Sequence, residues 1–130
     1  TMSKLPMTMN AVQGKDYGDI DEMLTVESGV VVPHLVDLPE SKGKRHVVIR
    51  TLAVALATGD CRVLSGKTRE LQGPPSFPYV PGGDCCGVVT ELADDSLAFK
   101  VGDRIAARFV EGPRGALGEY ACVSNKRFNC

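Results

Sequence analysis

The chain has 130 residues, of which 43% are hydrophobic and 24% charged, and its formal net charge is −1. That is the length of one ordinary domain, with enough apolar content to bury a core. It excludes a disordered chain, and it excludes a nucleic-acid surface, which needs clustered cationic excess.

The longest apolar run is far below the roughly 18 residues that a helical membrane span needs, so no membrane association is expected. The one basic run, Lys42-Gly43-Lys44-Arg45, is short and balanced by Asp37 and Glu40, as in a solvated loop. Five cysteines form an odd set with no C-x-x-C pair, and no apolar leader segment opens the chain. A reduced, cytoplasmic setting is the expectation. Residues 1–8 read as a tail or a cloning remnant.

Met9 to Gln13 reads as an opening strand, closed by a turn over 15–19. Met23 to Val32 is mostly β-branched and reads as a strand or a bent pair. Pro39 to Arg45 is an exposed loop. His46 to Ala57 is the strongest predicted strand, because both alternating faces are mainly apolar and buried strands carry that pattern. Its Ala and Leu content leaves a helix as the competing reading. Ala53, Ala55 and Ala57 share one alternating face and permit close packing or leave room for a ligand. Thr58 or Asp60 could cap a short helix running through Leu64, which Ser65-Gly66 ends. Lys67 to Ser76 is a polar loop.

Next comes Phe77-Pro78-Tyr79-Val80-Pro81-Gly82-Gly83-Asp84-Cys85-Cys86-Gly87. The two prolines remove backbone donors, and the glycines allow close approaches that a Cβ would forbid. The stretch reads as a rigid loop carrying Asp84, followed by a strand over Val88–Leu92. A turn at 94–96, a tight turn at 99–104, a strand over 105–110, a Gly/Pro loop at 111–117, a strand over 118–124 and a tail complete the chain. Six or seven short strands with little helix predict an all-β barrel or sandwich.

Several segments together resemble a known family. They are Met9-Asn10-Ala11-Val12, His46 to Arg50, Asp60 to Gly66, Pro81 to Val89, Phe99 to Ala106 and Gly118-Glu119-Tyr120. In this order and spacing, over residues 9–130, they are similar to the N-terminal, GroES-like catalytic domain of the medium-chain dehydrogenase/reductases, in the quinone oxidoreductase branch. The resemblance implies a mainly β fold, a partly open barrel with a few short helices. It implies NADPH-dependent reduction of quinones or other activated double bonds, in a cleft shared with a Rossmann domain.

By that resemblance the cleft residues are Ala57, Thr58, Asp60, Arg62 and Asp84. Zinc-dependent relatives keep a Cys after the long strand and a Gly-His-Glu in the later loop. Here Ala57 and Gly82-Gly83-Asp84 stand in those places, so no zinc is expected. Related quinone oxidoreductases place an Asn and a Tyr after the long strand, where this chain has Ala57 and Arg62. Thr58 and Arg62 are then the polar candidates for a catalytic role, with a helix cap and a surface charge as the alternative. Asp84 reads as a structural carboxylate. Adjacent Cys85 and Cys86 point to opposite faces of a strand and read as structural thiols.

No Gly-rich dinucleotide fingerprint follows a strand and opens a helix. The expectation is therefore a portion of a larger reductase, inactive alone and with no cofactor of its own, acting on a small molecule beside a Rossmann domain. A stand-alone GroES-like binding module is the alternative. An apolar face left for a partner domain would favour self-association.

Overall fold

The long strand expected at the centre of the chain is there. It is β3 (His46–Ala55). The computed structural model describes residues 5–34, 46–67, 77–92, 99–108 and 115–124. The loops expected at 39–45 and 94–96 and the tail at 125–130 lie outside these residues, as do most of the loop at 67–76 and part of that at 111–117.

Strand β3 pairs antiparallel with β4 (Asp84–Leu92) on one side and with β6 (Tyr120–Ser124) on the other. β5 (Arg104–Arg108) pairs with β4, which gives a four-stranded sheet in the order β5-β4-β3-β6. β1 (Thr8–Gly14) and β2 (Leu24–Val31) form a separate antiparallel ribbon. The ribbon reaches the rest of the molecule through bridges from Ala11 to Gly118 and from Gly14 to Tyr79. The result is a partly open β fold with two short helices, α1 (Ile20–Met23) and α2 (Thr58–Ser65), among the described residues. Helix α1 has no counterpart in the sequence reading. At four residues it is too short for a periodic signal. Among the described residues no helix is long and apolar enough to cross a membrane.

The core lies on one face of the larger sheet. Val47 and Ile49 of β3 pack with Cys85 and Val89 of β4, Ile105 and Ala107 of β5, and Ala121 and Val123 of β6. The alternation follows the strand period of two. Along β3 it then changes phase, since Val54 rather than an odd-numbered residue packs on this core. The cause is a bulge. Thr51 stands opposite Gly87 and Ala53 opposite Cys86, so Leu52 is an extra residue. A second bulge lies on β4 at Thr90, whose hydroxyl donates to the Val48 carbonyl at 3.0 Å.

Burial on both faces holds only for the first half of β3. Val47, Val48 and Ile49 are fully buried, whereas Leu52, Ala53, Ala55, Leu56 and Ala57 are exposed. β6 accompanies β3 only as far as Arg50, so beyond it one edge of β3 loses its strand partner. β4 also begins earlier than expected. Asp84 to Gly87 belong to the strand, because they pair with β3 and β5 at once.

Candidate functional site

Helix α2 follows β3 after two residues and carries most of the candidate groups. Its start is built on Asp60. The N-cap is Ala57, not Thr58 or Asp60. Alanine offers no side-chain acceptor, so the Asp60 N–H donates to the Ala57 backbone carbonyl at 3.0 Å. The Asp60 carboxylate reaches back, and its Oδ2 accepts the Ala57 N–H at 2.9 Å. Gly66 ends the helix in the left-handed region at φ 79°, with its N–H on the Val63 carbonyl.

The second Asp60 oxygen, Oδ1, accepts the Gly82 N–H at 2.9 Å. Asp60 is 7% exposed, and both of its oxygens are therefore held by backbone amides. The Pro81-Gly82 turn is gripped from its other side by residues 115–117. The N–H of Gly115 donates to the Val80 carbonyl, that of Ala116 to Gly82, and that of Leu117 to Pro81. A Cβ on Gly115 would run into the Pro81 backbone, and one on Gly82 would meet the Val54 side chain at 2.5 Å. The glycines permit this interlock, and Asp60 ties it to the helix. Below the turn lies Tyr79, whose phenol is pushed up to about 12 by burial and by the nearby Asp60 carboxylate.

The opposite face of α2 looks into a cleft of about 530 Å³. Thr58, Cys61, Arg62 and Ser65 recur at helical spacing along one wall, and residues 18–22 form the other. Thr58, Cys61 and Arg62 are exposed there. The cleft is open and polar, and its far wall carries the carboxylates Asp19, Asp21 and Glu22. Of the expected site residues, the structure brings Thr58 and Arg62 together on this wall. Asp60 lies on the buried side of the same helix, away from the cleft. Ala57 stands exposed at the junction of β3 and α2. Asp84, half-buried at the head of β4, pairs with Ala55 two residues before that junction and does not line the cleft.

The two adjacent cysteines part as strand geometry requires. Cys85 enters the core, and Cys86 is half-buried on the other face. Burial, then the neighbouring Cys86 and Asp84, push the Cys85 thiol up to about 11. A thiol held that far from ionisation is a poor nucleophile and a poor metal ligand. Among the described residues no three His, Cys, Asp or Glu side chains converge as a metal would need.

The sequence reading missed the 115–117 grip and residues 18–22 as a cleft wall. Gly115 in a Gly/Pro loop was the available sign of the first. Nothing in the sequence marks the second.

Residues 43–129 match the alcohol dehydrogenase GroES-like domain. The chain is 33% identical over 130 residues to an Arabidopsis thaliana protein named NADPH-dependent alkenal/one oxidoreductase, covering 95% of this chain and 31% of that one. It is also 33% identical to 2-methylene-furan-3-one reductase of Solanum lycopersicum, covering 97% and 31%. A solved structure of a Pseudomonas syringae quinone oxidoreductase superposes with a TM-score of 0.65 at 31% identity, over 89% of this chain and 31% of that one. The chain thus spans about a third of the length of the relatives it matches.

Proposed function

Because this chain belongs to the alcohol dehydrogenase GroES-like domain family, we propose that it forms the catalytic-domain side of an NADPH-dependent reductase of quinones or activated alkenes. The observation that carries this reading is the likeness along 95% of the chain to an oxidoreductase named for NADPH and alkenals.

The geometry supports a division of labour. NADPH, where bound, supplies the hydride. The turn from β3 into α2 is a poor cradle for its phosphates, because the Asp60 carboxylate already occupies the amide at the helix start and repels a second anion. We assign the dinucleotide to a Rossmann domain and the substrate to the α2 cleft. There the Thr58 hydroxyl and the Arg62 guanidinium can donate hydrogen bonds to a substrate carbonyl oxygen. The Arg62 guanidinium favours negative charge developing on that oxygen. Ala57 and Gly83 bring no ligand atoms, and both Asp60 oxygens are engaged, so this donor set does not fit a catalytic zinc. The exposed apolar end of β3, with Leu52, Leu56 and Ala57, is the face we assign to the partner domain.

The test is NADPH oxidation in the presence of an alkenal or a quinone. A protein joining this domain to a dinucleotide-binding domain is expected to turn over, unchanged by a zinc chelator, and the 130-residue chain alone is expected not to. In the active protein Arg62→Ala should lower kcat/KM about tenfold, the size of one charge-assisted hydrogen bond. Turnover by the isolated chain, or no turnover by the joined protein, would overturn the proposal.

A further inference from the structure

We draw no further inference here: the strongest candidate, the groove of about 340 Å³ between the β1–β2 ribbon and the far end of β3, lined by Val12, Val26, Thr51, Val54 and Leu117 among others, is an unpartnered apolar face and nothing in the structure shows what covers it.

Discussion

Asp60 shows how a single side chain can serve the site without facing it. Its two oxygens satisfy two amides that belong to different segments, the start of α2 and the Pro81-Gly82 turn. Asp60→Ala strands the buried Gly82 amide and leaves the part-buried Ala57 amide without its acceptor. The expected loss is about 1–3 kcal/mol, most of it from the buried donor, read as a lower urea midpoint. A midpoint within error of the parent would mean that the turn does not depend on the helix. Tyr79, directly below, gives a pH signature, and Cys85 adds to it. Both are held in their neutral forms, with folded pKa values above the unfolded ones. The stability they contribute is fully present below about pH 9, the ordinary thiol value. It is lost as pH rises through about 11 for Cys85 and about 12 for Tyr79. The Tyr79 share is on the order of 2 kcal/mol. Urea unfolding at a series of alkaline pH values should therefore steepen above pH 10, and Tyr79→Phe should flatten that part of the curve. An identical alkaline profile for the two proteins would exclude Tyr79 as the cause.

At the scale of elements, the pairing of β3 with β4 decides where the site stands. Two bulges bend this pair, and Gly87 lets the backbones close up between them. A Cβ on Gly87 would sit 2.5 Å from the Arg50 carbonyl oxygen and 2.9 Å from the Ile49 side chain. The first of these is strand backbone and cannot simply swing aside. Gly87→Ala is expected to cost about 1–3 kcal/mol, as overpacking in a filled core does. Thermal unfolding with an unchanged midpoint would show that the strands can part there freely. Much of this level was legible in the sequence. The β-branched run at 47–49, the short helix through Leu64 with its glycine stop, and a turn within 99–104 stand where pattern and turn chemistry placed them, although the helix cap is Ala57 rather than Thr58 or Asp60. The start of β4 did not. Asp84-Cys85-Cys86-Gly87 has the composition of a loop, and it is strand because two neighbouring strands offer it hydrogen bonds on both edges. Likewise the apolar continuity of β3 past Thr51 suggested burial on both faces. The exposure begins past the point where β6 stops, at Arg50, whose partner Tyr120 lies 70 residues away in the chain.

For the molecule as a whole, the exposed end of β3 is the feature with a consequence in solution. Leu52 and Leu56 are 44% and 53% exposed, beside the exposed Ala53, Ala55 and Ala57. Apolar surface gathered at one end of a sheet associates when nothing else covers it. The isolated chain is expected to bind a hydrophobic dye and to sediment as a concentration-dependent mixture. Changing Leu52 and Leu56 together to Ser should reduce both effects with little loss of stability, since neither side chain is in the core. A clean monomer that ignores the dye would remove this face from consideration as an interface.

Local pattern along the chain is enough to dictate the kind of molecule. Apolar alternation, β-branched runs and Gly/Pro punctuation are local, and they dictate short strands, a capped helix and tight turns. The order of its motifs was enough to mark its likeness to the GroES-like catalytic domains. It also narrowed the candidate site to the residues after the long strand. Which way those residues face is set by packing in three dimensions. A helix has two sides, and sequence spacing alone does not say which one meets the neighbouring chain. Packing turned Asp60 inward to the Pro81-Gly82 turn and left Thr58 and Arg62 on the open cleft. The choice depends on segments 22 to 36 residues apart meeting in space, and no local pattern encodes that.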